Sequence, residues 1–310
     1  MTTTSTTVND TLFLIGGTGG LGLEVAKGLV TTADGFAHKK ALVRSIESDK
    51  AEKLADMGWT LIELADYSSS GLEQALSGAK VVVSTLSGND MVALETSIVE
   101  AASKVGASLF VPSQFGVDFR RWGTEFPFLA GKKAVLDAAA AKNLSVLTVF
   151  CGYFSDWIFG FFTDLENKTV TWVGDGNDKV SWTRRSDIGY VLAKALEDAD
   201  VIQNGGALSM QGDLKSFNEA TALLEKALDT KFKVDYIDPQ DALKQEQELL
   251  AKGLEGDVGA FFGSFKLHLM GEPARENDGC DLSGNSDLNN YGHEMQTLEE
   301  VFASGVYGGK

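Results

Sequence analysis

The residues best suited to chemistry stand near the start of the chain. Gly16-Gly17-Thr18-Gly19-Gly20-Leu21-Gly22 follows the apolar run 12–15 directly and precedes a helical period through Leu23, Ala26, Lys27 and Val30. Strand, glycine loop and helix in that order let a chain turn tightly, bring backbone N–H groups against a pyrophosphate and pack the helix close to a sheet. The helix N-terminus then stabilises the negative charge. Gly16, Thr18, Gly19, Gly20, Leu21 and Gly22 are therefore expected to hold a dinucleotide. The end of the second apolar run selects which one. Asp or Glu there would bond the ribose hydroxyls of NAD, whereas this chain has Leu42-Val43-Arg44-Ser45. A guanidinium can fork onto a 2′-phosphate and stack on adenine, so Arg44 favours NADP(H). Lys50 or Lys53 would add a second cation, or would stand as solvated lysines of a helix face.

Two further segments end the fourth and fifth apolar runs: Ser84-Thr85-Leu86-Ser87-Gly88 and Pro112-Ser113-Gln114-Phe115-Gly116. Ligands bind at that edge of a doubly wound sheet. Six aromatic residues crowd between 153 and 162. Such a run is expected to be mostly core, with Phe154 and Trp157 the two that touch a small-molecule substrate. The sequence contains no GxSxG elbow and no Walker loop, which leaves hydrolase and phosphotransferase readings without support.

These groups need a frame that brings them to one edge. Six short apolar runs, at 12–15, 41–43, 61–64, 81–84, 109–111 and 146–150, alternate with helical periods beginning near Gly20, Asp49, Ser70, Met91 and Lys132. That pattern predicts an α/β fold, a Rossmann-type doubly wound parallel sheet over residues 11–152 that binds NADP(H), after a flexible tail at 1–10. Residues 153–310 predict a smaller mixed α/β substrate domain. Its expected elements are a hairpin of 169–173 and 180–183 around Gly174-Asp175-Gly176, and a helix at 186–198 that packs back on the first domain. Then come an apolar run at 207–210, helices at 217–228 and 239–252, and a strand at 232–237. The polar, Gly- and Asn-rich stretch 271–292 reads as a long loop, either a lid or simply mobile.

Composition bounds the function from outside. A chain of 310 residues with 44% hydrophobic residues can bury a sizeable core, in one or two closely packed domains. Its net charge of -17 opposes direct nucleic-acid binding, although a few cations at one site suffice for a dinucleotide. The Thr-rich start has neither a basic nor an apolar region of a secretory signal, and no apolar stretch is long enough for a membrane span. Cys151 and Cys280 give no disulfide framework, which suits a reducing, cytoplasmic setting, and His38, His268 and His293 show no metal-type spacing. A homo-oligomer is compatible with all of this.

The glycine run, LVR at 42–44, VPSQFGVD at 111–118 and SDIG at 186–189 together resemble the NmrA-like, isoflavone-reductase-like branch of the atypical short-chain dehydrogenases, over most of residues 12–196. Beyond Val201 no signature aligns. The resemblance implies an NADPH-dependent reductase of small aromatic or conjugated carbonyl-type substrates, with a variable substrate domain facing the Rossmann domain across a cleft. The same family contains NADP(H)-sensing regulators that act through protein partners and turn nothing over, so the site must decide. By resemblance Thr85 and Leu86 approach the cofactor, and Ser113, Gln114 and Phe115 flank its nicotinamide. In the reductase branch a lysine opens the helix after the PSxFG loop, and Lys132 falls there, with Lys133 the one-residue alternative. Burial would bring such an amine toward neutral pKa and make Lys132 a general acid, or a base if a phenol must first be ionised. Tyr190 and Lys194 match the YxxxK pair of conventional short-chain dehydrogenases, but they follow the sixth run among apolar neighbours, so Tyr190 is read as a packing residue.

Overall fold

The run TLFLI at Thr11–Ile15 is buried at all five positions. A strand covered by helices on both faces has no polar side to alternate with, so after Thr11 its sequence is continuously apolar. The computed structural model describes residues 9–31, 35–65, 67, 69–88, 90–122, 126–271 and 278–308. Its first half alternates β1 (Thr11–Ile15), α1 (Gly20–Leu29), β2 (His38–Val43), α2 (Asp49–Asp56), β3 (Thr60–Glu63), α3 (Ser69–Ala75), β4 (Ala79–Ser84) and α4 (Met91–Lys104). β5 (Leu109–Val111), α5 (Phe119–Trp122), α6 (Pro127–Ala141) and β6 (Ser145–Phe150) complete it. The second half runs through β7 (Tyr153–Phe154), α7 (Ile158–Phe162), β8 (Thr163–Asp164), β9 (Thr169–Val173), β10 (Lys179–Thr183), α8 (Arg185–Ala195) and α9 (Ala199–Asn204). It ends with β11 (Gly206–Ser209), β12 (Asp213–Ser216), α10 (Phe217–Leu228), β13 (Lys233–Ile237), α11 (Pro239–Leu254), α12 (Val258–Gly271) and α13 (Leu298–Ala303).

The main sheet has seven strands in the order β11-β6-β5-β4-β1-β2-β3, with every pairing parallel. Six strands were expected; the seventh is the 207–210 run, which lies along β6 with Ala207 opposite Thr148. The strand order reverses between β1 and β4, the place where a doubly wound sheet opens a crevice for ligands. Leu12 and Leu14 pack with Val25, Leu54, Ile188 and Leu192 on one face. Phe13 and Ile15 pack with Leu72, Ile98 and Val135 on the other. Fully burying side chains of this size contributes roughly 1.5–3 kcal/mol each, which makes this sheet the stable platform of the molecule.

Helix α8 lies against α1. The approach is closest at a glycine pair, where a methyl group built on Gly28 would sit 2.0 Å from the carbonyl carbon of Gly189. SDIG therefore owes its glycine to helix–helix contact rather than to a turn.

The second half departs from the expected hairpin. β9 pairs with β8 and, in parallel, with β13, while β10 pairs with β12 and β7, so the two strands enter different three-stranded sheets. Gly174 and Gly176 both have φ of 72°, and Asn218 Nδ2 donates to Asp175 O at 2.8 Å. The loop is thereby wrapped onto the start of α10 instead of folding the strands together. Between the small sheets lies an aromatic core in which Trp172 stacks on Phe217 at 4.6 Å and on whose other side Phe159 meets Trp182. Helices α12 and α13 were not expected.

Two segments expected to be loose are held in their described parts. Of the tail, residues 1–8 lie outside the described residues, but Asn9 is fastened by bonds from its side-chain amide to Val105 O and Gly106 O. Of 271–292, residues 272–277 lie outside the described residues, while the remainder is pinned. Leu282 is fully buried, its N–H donates to Ser181 Oγ at 2.8 Å, and Asp287 accepts from Ser209 Oγ at 2.6 Å and from Arg120 Nη1 at 2.8 Å. The described part of the segment is thus held by buried apolar contact and ion pairs and is not a loose loop.

Candidate functional site

At the carboxyl end of β1 the chain turns through Gly16, whose φ is 84°. Thr85 locks the turn to β4, its N–H donating to Ile15 O at 2.8 Å and its hydroxyl to the same oxygen at 3.2 Å. A methyl group on Gly22 would lie 2.1 Å from Gly16 O, so only glycine lets the helix start beneath the loop. Helix α1 has Gly19 as N-cap and no capping side chain. Its first internal bond runs from Leu23 N to Gly19 O, and the amides of Gly20, Leu21 and Gly22 have no acceptor among the described residues. Unsatisfied donors at a helix start make an anion site. Gly19, Gly20 and Leu21 line a cavity of about 390 Å³. A cradle that Cβ atoms would fill, with free amides around it, fits a dinucleotide phosphate.

Thr85, Leu86, Ser113 and Phe115 line the same cavity, and so does Lys132. Lys132 does not open its helix. Phe126 caps α6, Pro127 occupies its first turn, and Lys132 stands further along on the face turned inward. Its side chain is 5% exposed; Nζ donates to Phe115 O at 3.4 Å and sits 5.1 Å from the Phe128 ring centre. Burial brings the amine down from 10.5 to about 8, opposed by the charges of Glu95 and Cys151. Lys133 points to solvent and pairs with Asp137 at 2.6 Å, which leaves Lys132 as the lysine of the cavity.

Glu95, on α4, was not singled out by its sequence. It is fully buried, accepts from Ser113 N at 2.8 Å, and carries a second oxygen, Oε2, without a hydrogen-bond partner. Burial raises its pKa, while bonds from Ser84 and Ser113 and the nearby Lys132 charge hold it down. A carboxylate and an amine thus share one dry region behind the Ser113 wall. The detectable signal was a charge inside the apolar helical period of Met91, Ile98, Val99 and Ala102. Cys151, also buried, has its thiol pushed up to about 12 by burial, so at neutral pH it is a neutral wall and Glu95 is the charge that acts on Lys132.

Other expected residues fall elsewhere. Gln114 is fully buried and turned away from the cavity, its amide donating to Lys132 O at 3.1 Å; it braces α6. Gly16 and Thr18 in the loop and Gly22 in the first turn of α1 do not line the cavity. Arg44 and Lys50 are exposed at the end of β2 and the start of α2, with Arg44 beside Tyr67. Phe154 and Trp157 do line the cavity, Trp157 being 40% exposed and stacked on Phe161. Tyr190, expected as a packing residue, is instead exposed; it stacks on His293 and does not line the cavity, while Lys194 pairs with Glu197.

The rest of the wall is largely apolar and, apart from Tyr153 of the aromatic cluster, had no sequence signal. Phe128 comes from the unforeseen first turn of α6, Phe265 and Leu269 from successive turns of α12, and Tyr153 from β7. Tyr153 spends its hydroxyl on Leu269 O at 2.7 Å, fixing α12 against the site. The cation facing this wall besides Lys132 is Arg185, held by Asp156 at 3.0 Å. Among the described residues no cluster of His, Cys, Asp or Glu is arranged for a metal ion, and no helix is long and apolar enough to cross a membrane.

Comparison with known proteins follows the same lines. The model of the NmrA-like family matches residues 8–298, so the family pattern extends well past Val201, where no signature was legible. An isoflavone reductase homologue of Zea mays is 28% identical over 254 residues, covering 76% of this chain and 80% of the maize protein. A phenylcoumaran benzylic ether reductase of Pinus taeda is 28% identical over 247 residues, covering 75% and 80%. Among solved structures, the binary complex of leucoanthocyanidin reductase with NADPH from Vitis vinifera superposes with a TM-score of 0.77 over 96% of this chain and 99% of that one, at 19% identity. At that identity the likeness speaks for the fold.

Proposed function

This chain belongs to the NmrA-like family, and from that premise we propose that it is an NADPH-dependent reductase of small aromatic or conjugated carbonyl-type molecules. The observation that carries the reading is that one cavity has the uncapped start of α1 and the buried amine of Lys132 on its walls. Relatives named as an isoflavone reductase homologue and a benzylic ether reductase support the same class. When bound, the cofactor supplies a hydride to an electron-poor carbon of the substrate.

The chain's own residues do the rest. The amides of Gly20, Leu21 and Gly22 hold the pyrophosphate, and Arg44 takes the 2′-phosphate that distinguishes NADPH. Phe115, Phe128 and Phe265 exclude water and offer faces and edges to a planar substrate. With a pKa near 8, Lys132 is protonated at neutral pH yet not far from releasing its proton. It gives that proton to the substrate oxygen on which negative charge builds as the carbon is reduced. Glu95 faces the same amine and favours its charged form.

The test is a Lys132→Ala variant assayed with NADPH and a panel of phenols, enones and benzylic ethers. It is expected to keep NADPH affinity and lose turnover. A wild-type protein that binds NADPH and oxidises it with none of them would sink the reductase reading in favour of a sensor.

A further inference from the structure

Arg185 occupies an expensive position. It is the first residue of α8, next to Arg184 as N-cap, so two cations stand at the positive end of a helix dipole. Its side chain is only 13% exposed. Asp156 satisfies one side of it, accepting from the backbone N–H at 3.3 Å and from Nε at 3.0 Å. Nη1 and Nη2 have no hydrogen-bond partner among the described residues. A guanidinium this far covered, with its outer fork unpaired, has donors left over for an anionic ligand.

The fork points at the glycine loop. A methyl group on Gly20 would sit 2.9 Å from Arg185 Nη1, and both residues line the cavity. The helix crossing explains how. Gly189 packs on Glu24 and Val25, with a methyl group there 2.5 Å from Glu24 O, and one turn before that crossing stand Gly20 on α1 and Arg185 on α8. Small residues at the crossing bring both helix starts to one spot, and the absence of a side chain at Gly20 leaves room for the guanidinium.

We propose that Arg185 is a pyrophosphate clamp, a cation that closes over the glycine loop and, with the free amides of Gly20, Leu21 and Gly22, grips the bridging phosphates of the dinucleotide. This inference rests on the dinucleotide reading above and adds a residue from the second half of the chain to it. Asp156 keeps the fork aimed by holding Nε, leaving Nη1 and Nη2 for phosphate oxygens in the geometry that guanidinium favours.

The experiment compares wild type, Arg185→Met, which keeps much of the apolar stem, and Arg185→Lys, which keeps the charge without the fork. Full-length protein without cofactor is titrated with NADPH, with inorganic pyrophosphate and with adenosine 2′-phosphate, following tryptophan fluorescence and thermal shift. Losing a charge-assisted contact should weaken NADPH and pyrophosphate roughly tenfold to a hundredfold in R185M, less in R185K, and leave adenosine 2′-phosphate within about twofold. Should R185M fail to fold, Gly20→Ala, which displaces the guanidinium, is expected to weaken NADPH and pyrophosphate while sparing adenosine 2′-phosphate. Unchanged NADPH and pyrophosphate affinity in the folded variants overturns the clamp. Pyrophosphate binding that depends on Arg185 without any NADPH binding would refute the cofactor reading and keep the clamp, and a wild type that binds neither refutes both.

Discussion

Replacing Lys132 by methionine should make the cofactor-free protein more stable at neutral pH while abolishing its turnover. The native state holds this ammonium at 5% exposure with its pKa down from 10.5 to about 8. At about 1.36 kcal/mol per pH unit, that difference is a cost of about 3 kcal/mol for keeping the group charged in the fold. Methionine matches the stem and leaves no charge. Loss of the long bond to Phe115 O returns about 1 kcal/mol, so a net gain of about 2 kcal/mol is expected at pH 7. The sign of the pH dependence follows from proton counts. Below pH 8 both native and unfolded lysine are protonated and the full cost applies. Between about 8 and 10.5 the folded protein has shed the proton that the unfolded chain still binds, so wild-type stability rises with pH and the advantage of the variant disappears. Urea unfolding of both proteins at pH 7, 8, 9 and 10 measures the difference, in which all other titrating groups cancel to first order. Repeating it with Glu95→Gln in both proteins removes the residual attraction to that carboxylate. A variant that is less stable at pH 7, or a difference that does not change with pH, would refute the buried-charge account.

Other predictions test the surrounding parts. Glu95→Gln keeps an acceptor for Ser113 N but removes the charge that raises Lys132, so the lysine limb of the kcat/KM profile should move to lower pH; an unmoved limb breaks the coupling. Arg44→Ala should weaken NADPH roughly tenfold to a hundredfold and leave NADH unchanged, as read by fluorescence titration, and equal losses for both would remove Arg44 from the 2′-phosphate site. Gly28→Ala, where the new methyl would meet Gly189 at 2.0 Å, should cost about 2–3 kcal/mol in urea unfolding, and a neutral outcome would show that α1 and α8 can separate freely.

Much of the frame was legible because the physics that builds it is local. The stretches 12–15 and 81–83 are apolar throughout because both faces of the sheet are covered, and the glycines of the loop announce a cradle by their spacing. What the sequence hid depends on tertiary arrangement. The start of α6 was placed at Lys132, five residues late, because Phe126 and Pro127 look like a break until the proline is seen to sit in the first turn. Gly174 and Gly176 look like a hairpin turn, yet Asn218 binds that loop and the two strands part. Glu95 and Arg185 are surface-type residues that become buried only when distant elements meet, and Phe265 and Leu269 reach the cavity from a helix with no legible signature.

The central claim is that this cavity binds NADPH and spends it on a substrate. Titrating the purified protein with NADPH and with NADH, then adding phenols and enones to the NADPH complex while following nicotinamide fluorescence, tests it most directly. The account predicts clear preference for NADPH and its oxidation by at least one of these compounds. Absence of NADPH binding, or binding with no oxidation across the panel, would contradict it.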